Sequence, residues 1–169
     1  MNNFIEKTIK ILSSLDKEKL NILKQKIINS KGKIIILGNG GSNAIASHMA
    51  EDYTKALGKI SLSFSDAPRL TCYANDYGYD RAFLQFLKEF VEKESLVILI
   101  SSSGNSKNIV NCAEYCLNNS IDFIGLSGFS EQNALKRICE CEEKLHFWVD
   151  SNDYGIVECT HEIILHSVI

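Results

Sequence analysis

From Lys33 onward, short apolar runs alternate with stretches in which apolar positions recur every three or four residues. Residues 34–37, 61–64, 96–100, 123–126 and 145–149 form the runs, most of them rich in β-branched or aromatic side chains, and are predicted as strands. Between and after them, 43–57, 81–93, 105–118, 131–139 and 156–169 carry the helical period. Continuous apolar strands separated by amphipathic helices imply a parallel sheet covered on both faces. The expected architecture is therefore α/β, a three-layer sandwich around a five-stranded parallel sheet of the flavodoxin-like or Rossmann-like kind.

The chain before Lys33 has a different rhythm. Ile5, Ile9, Leu12, Leu15, Leu20, Leu23, Ile27 and Ile28 predict helix over 4–28, and Ser13-Ser14-Leu15-Asp16 is a place where it divides in two. We expect residues 1–30 to be a helical segment serving assembly, and residues 31–169 to be the α/β domain. The lone proline, Pro68, reads as part of an Asp66-Ala67-Pro68 turn. The last helical pattern reaches Ile169 without a C-cap signal and is expected to run on.

Composition narrows the class. With 169 residues, 45% hydrophobic and 23% charged, the chain fits one globular domain. A net charge of −3 and the lack of a basic face argue against a nucleic-acid partner. The start Met1-Asn2-Asn3 leads into a Lys-dotted amphipathic stretch rather than a secretory signal, and no apolar run is long enough to span a bilayer. Six cysteines, none in a C-x-x-C pair, read as reduced thiols of a cytoplasmic protein; Cys112 and Cys116, one turn apart, are expected to face the core.

Two polar loops stand out because each joins a strand to a helix. Gly38-Asn39-Gly40-Gly41-Ser42 follows the first strand; its glycines permit positive φ and close approach to an anion, and Asn39 and Ser42 add side-chain hydrogen bonds. Neither a third fingerprint glycine nor a Gly-Lys-Ser/Thr follows, so a nucleotide cofactor is not expected. Ser101-Ser102-Ser103-Gly104-Asn105-Ser106 follows the third strand. Four hydroxyls at a helix N-terminus suit a phosphate held without Lys or Arg. Helix capping alone accounts for Ser103 or Ser106 and leaves the others unexplained.

These two segments, with Ala74-Asn75-Asp76-Tyr77-Gly78-Tyr79 between them, resemble in order the signature segments of the sugar-isomerase (SIS) domain family, and more narrowly its phosphoheptose isomerase branch. The resemblance implies a homotetramer with active sites at subunit interfaces, converting sedoheptulose 7-phosphate to an aldoheptose 7-phosphate in surface-polysaccharide synthesis. It also implies that Asn39, Gly40, Gly41, Ser42, Asn75, Asp76, Ser101, Ser102, Ser103, Ser106 and Glu158 hold the substrate, the serines gripping phosphate and Asp76 the sugar hydroxyls. Taken by itself, 75–78 is an ordinary Asx-type turn.

Residues able to move protons lie on two helices. His48 and Asp52 are one turn apart, with Glu51 adjacent, and Glu158, Glu162 and His166 form a row at four-residue steps beside His161. Two histidines and two carboxylates suit Zn²⁺ or a similar cation if the helices meet; otherwise His48 and Asp52 are surface residues and His166 packs in the core. The family pattern, a His-x-x-x-Glu pair and a Gln-x₇-His pair that bind zinc in some members, falls on His48, Asp52, Glu158 and His166, with Asp and Glu replacing Glu and Gln. The chemistry that fits is proton transfer through an enediolate, with Asp52 (or Glu51) as base and His166 polarising the carbonyl oxygen. A non-catalytic SIS module binding a phosphosugar or a protein, and an isomerase of another sugar phosphate, are the competing readings.

Overall fold

The computed structural model describes residues 2–169 and contains the expected α/β sandwich. Among these residues the order is α1 (Asn2–Ser13), α2 (Lys17–Asn29), β1 (Ile34–Gly38), α3 (Gly41–Leu57), β2 (Ser61–Ser63), α4 (Ala67–Tyr77), α5 (Tyr79–Phe90), β3 (Leu96–Ser101), α6 (Lys107–Asn118), β4 (Asp122–Ser127), α7 (Ala134–Cys141), β5 (His146–Trp148) and α8 (Tyr154–His166). The five strands are parallel in the order β2-β1-β3-β4-β5, so the winding direction reverses between β1 and β3. Ligands of such sheets bind outside the carboxyl ends of the strands at that reversal.

Alternation along the central strands divides the core. Ile34, Ile36, Ile98, Ile100, Ile124 and Leu126 face Leu23, Ile27, Met49, Tyr53, Ile164 and Leu165 of α2, α3 and α8. Ile35, Leu37, Val97, Leu99 and Phe123 face Phe83, Phe86, Ile109, Cys112 and Cys116 of α5 and α6. The central strands β1 and β3 are buried at every residue, which explains their unbroken apolar runs.

The leading helix does divide. The Asp16 carboxylate accepts from the N–H groups of Glu18 and Lys19 and starts α2. Helix α2 places Leu23 and Ile27 in the core, whereas Phe4, Ile5 and Ile9 of α1 are exposed.

Two expectations need correction. Residues 66–77 are not two turns but a helix: Asp66 caps it through the Arg69 N–H at 3.0 Å, and Pro68 sits in its first turn, where a missing N–H costs nothing. Helix α8 ends at His166, with the Ser167 N–H bonded to the Ile163 carbonyl, rather than running to residue 169. No helix among the described residues is long and apolar enough to cross a membrane.

Candidate active site

Both polar loops lie at the sheet's reversal point and enclose a cavity of about 260 Å³. That volume suits the phosphate end of a ligand, with the remainder extending outward. On one side, β1 runs into Gly38 and Gly40 takes φ +55°, after which α3 begins with no side chain capping it among the described residues. The first N–H groups of α3 thus remain for a ligand. Only Gly40 of the three glycines uses positive φ. Gly38 is required by closeness: a Cβ there would lie 2.6 Å from the Ser42 carbonyl oxygen.

On the other side the four hydroxyls differ in role. Ser101 Oγ donates to Ser106 Oγ at 3.1 Å, and Ser103 Oγ accepts from the Asn105 N–H at 3.2 Å. Ser106 occupies the N-cap of α6, which starts two residues later than expected, yet its side chain does not cap the helix. Ser102 Oγ is buried without a hydrogen-bond partner among the described residues. A buried hydroxyl with nothing to bond costs free energy, so its place in the cup points to a ligand as the missing partner. Gly104, at φ +65°, passes so close to Asn133 that a Cβ would meet its Oδ1 at 2.0 Å.

Asn39 and Ser42 both line the cup, but the Asn39 amide is already engaged. It donates to Asn108 Oδ1 at 3.0 Å, and its own Oδ1 accepts from Asn108 Nδ2 and from the Tyr79 hydroxyl, each at 2.8 Å. Asn108, buried at the start of α6, therefore ties the glycine loop to the serine loop. Asn108 and the cup residue Tyr154 went unseen in the sequence, and Tyr79 reads there only as part of the 74–79 segment, with no role of its own. Asn39 and Asn108 are 69 residues apart, so no spacing signals their contact. Asn75 and Asp76 lie elsewhere, exposed in the last turn of α4 and bonded to each other at 2.9 Å rather than lining the cup.

Helices α3 and α8 do meet. Asp52 Oδ2 lies 3.4 Å from His48 Nε2 and 3.7 Å from His166 Nδ1, while Glu162 Oε1 lies 3.9 Å from His166 Nε2. The two imidazole rings are edge to face with centroids 5.3 Å apart. One donor atom each from His48, Glu162 and His166 fall within 4.8 Å of one another. Glu158 is not in this group: its carboxylate stands against Gly41 and lines the cup, where a Cβ on that glycine would meet Oε1 at 2.4 Å. Glu51 is exposed and paired with Lys55 at 3.7 Å.

His161 turns the other way. It is fully buried with Nε2 3.1 Å from the Ser127 carbonyl, and burial holds its pKa down to about 4, against the raising effect of that contact. His146 Nε2 meets Ser127 Oγ at 2.9 Å; burial first, then Lys19, His161 and Lys136, lower its pKa to about 3. Both stay uncharged at neutral pH and fasten the end of β4. Cys112, Cys116 and Cys139 are buried free thiols, and burial pushes Cys116 and Cys139 up to about 12.

The chain is similar to known proteins in sequence and in fold. The SIS domain family matches residues 3–128. A phosphoheptose isomerase of Fusobacterium nucleatum is 34% identical over 153 residues, covering 86% of this chain and 76% of that relative. One from Helicobacter pylori is 32% identical over 169 residues, covering 96% and 84%. The structure of the Neisseria gonorrhoeae phosphoheptose isomerase superimposes with a TM-score of 0.86 at 23% identity, covering 99% of this chain and 92% of the other. The chain belongs to the SIS-domain family, in its phosphoheptose isomerase branch.

Proposed function

We propose that the chain is an aldose–ketose isomerase of a sugar phosphate, with sedoheptulose 7-phosphate and D-glycero-D-manno-heptose 7-phosphate as its substrate pair. The observation that carries this reading is the cup: a serine hydroxyl with no partner and a helix start with no side-chain cap among the described residues, together with a serine-rich turn, converge on one small cavity. A phosphate there accepts from Ser102 Oγ and the first N–H groups of α3. Its binding energy orients the far end of the sugar.

Asp52 takes the proton from the carbon next to the carbonyl, and His166, 3.7 Å away, donates to the carbonyl oxygen as the enediolate forms. Returning the proton to the neighbouring carbon completes the isomerisation. Glu51, turned out toward Lys55, is the weaker candidate for base. Asn75 and Asp76 reach sugar hydroxyls only from another subunit, which fits a homotetramer whose sites lie at subunit interfaces. The exposed Phe4, Ile5 and Ile9 of α1, within the segment 1–30, suit that assembly, with residues 31–169 carrying the SIS domain proper. The unpaired buried thiols suit the cytoplasm.

The donor set on α3 and α8 fits Zn²⁺: two imidazoles and neighbouring carboxylates offer the nitrogen and oxygen ligands this ion takes. The family pattern names His48, Asp52, Glu158 and His166 as its holders. Bound there, the ion supplies Lewis-acid polarisation of the carbonyl oxygen.

Incubation with sedoheptulose 7-phosphate, with and without zinc, followed by NMR tests the reading. Aldose formation is expected, with turnover abolished in Asp52→Asn and in His166→Ala while phosphosugar binding survives. Wild-type rates in either variant would remove the assignment. No conversion of any ketose phosphate would favour the non-catalytic binding module.

A further inference from the structure

The cup has a buried base and an aromatic mouth. Ser42, Ser101 and Ser102 in its lining are 3%, 4% and 6% exposed, whereas Tyr154 is 60% exposed. Ile100, the other large apolar side chain of the lining, is fully buried. Among the described residues, the Tyr154 ring is therefore the one broad apolar surface that the cup offers to a ligand.

Local structure fixes that ring. The Asp153 carboxylate accepts from the N–H groups of Gly155 and Ile156 at 2.9 and 3.3 Å, which starts α8 at Tyr154. Helix α8 thus brings a side chain to the mouth of the cup, where α3 brings N–H groups. Phe129 meets the Tyr154 ring edge to face, with centroids 4.7 Å apart and planes at 74°. Phe129 itself sits at φ +53°, a left-handed conformation that a bulky residue rarely adopts. Its surroundings hold it there: its N–H donates to the Ser151 carbonyl at 3.0 Å, and the Gly128 N–H before it donates to the Ser102 carbonyl at 2.9 Å. The aromatic pair is fastened to the same serine loop that carries the unpartnered hydroxyl.

We propose that Tyr154 is the residue by which the cup tells a phosphate monoester of a polyhydroxylated carbon chain from free phosphate, and that Phe129 is a positioning residue for its ring. A phosphate bonded to Ser102 Oγ and the first N–H groups of α3 lies at the buried base. The carbons it carries leave through the mouth, past Tyr154. Their C–H groups gain apolar contact with the ring while their hydroxyls stay directed elsewhere. Inorganic phosphate has no such carbons and gains nothing from the ring. The inference rests on the phosphosugar reading of the cup and deepens it by naming what reads the sugar side.

Calorimetric titration of the full chain with inorganic phosphate and with sorbitol 6-phosphate tests it. The second ligand has no carbonyl group, so its binding is measured without turnover. The wild type should bind the polyol phosphate more tightly than phosphate. Tyr154→Ala should weaken the polyol phosphate about 4- to 15-fold, the scale of one to two methylene groups losing an apolar contact, and leave inorganic phosphate as it was. Tyr154→Phe, which keeps the ring, should restore the preference. Phe129→Ala should shift the ratio of the two affinities in the same direction as Tyr154→Ala, and the double variant should lose no more than Tyr154→Ala alone. Circular dichroism confirms the fold of each variant. Equal losses for both ligands in Tyr154→Ala, the mark of a merely damaged cup, overturn the inference, as does a loss in Tyr154→Phe as large as that in Tyr154→Ala. A wild type that binds neither ligand removes the phosphate reading of the cup and the inference with it. A wild type that binds both, with the ratio unchanged in Tyr154→Ala, removes the inference alone.

Discussion

Replacing Ser102 by alanine should move stability and phosphate binding in opposite directions. In the free protein Ser102 Oγ is buried with no partner among the described residues. An unsatisfied buried hydroxyl costs about 1–3 kcal/mol, so its removal should leave stability unchanged or raise it by about 1 kcal/mol. For a chain of this size that is a rise in Tm of up to about 2–4 °C. A hydrogen bond from that hydroxyl to a phosphate is charge-assisted and worth about 1.5–3 kcal/mol. At tenfold per 1.4 kcal/mol, its loss should weaken phosphosugar binding about 10- to 100-fold. Thermal unfolding with and without sedoheptulose 7-phosphate reads both effects, because a ligand that binds only the folded state raises Tm according to its dissociation constant. The control is Ser101→Ala, which removes the 3.1 Å bond to Ser106 and should cost about 1 kcal/mol of stability. A Ser102→Ala protein that melts several degrees lower, or that binds the phosphosugar with wild-type affinity, refutes the reasoning.

Gly104→Ala adds a left-handed backbone penalty of about 1–2 kcal/mol to an overlap with buried Asn133 of about 1–3 kcal/mol, so calorimetry should find Tm lower by roughly 5–15 °C. Asn108→Ala removes both hydrogen bonds that tie Asn39 to α6, while the Ile109 N–H keeps its bond to the Ser106 carbonyl; it should raise KM several-fold and couple non-additively with Asn39→Ala in a double-mutant cycle. His146 and His161 have folded pKa values depressed to about 3 and about 4. The unfolded chain therefore binds more protons below pH 6.5, and stability falls with acidification from about pH 6.5 toward pH 4 and 3. By pH 5 the loss is about 2 kcal/mol per histidine, and urea unfolding of His161→Gln should show a flatter pH profile.

The sheet was legible because β1 and β3 are buried on both faces, which leaves unbroken β-branched runs, and because the two ligand loops are each local in sequence. The division between α1 and α2 was legible in Asp16, a capping residue inside an apolar period. Helix α4 was not: none of its eleven residues is buried, so no apolar stripe marks it, and Pro68 reads equally as turn or as first helical turn. The edge strands β2 and β5 proved shorter than their apolar runs, three residues each, since only one neighbour binds them. Spacing alone also left Glu158 and Glu162 equivalent, as both belong to one row on α8. Their difference comes from the course of α3, which brings Gly41 to the first and His48 to the second.

A crystal structure of the assembled protein with sedoheptulose 7-phosphate, soaked into the inactive Asp52→Asn variant, tests the central claim most directly. The account predicts phosphate oxygens within hydrogen-bond distance of Ser102 Oγ and the first N–H groups of α3, with the carbonyl end beside residue 52 and His166 of the same or an adjoining subunit. A phosphate seated outside the two loops, or a carbonyl end directed away from both side chains, would contradict it.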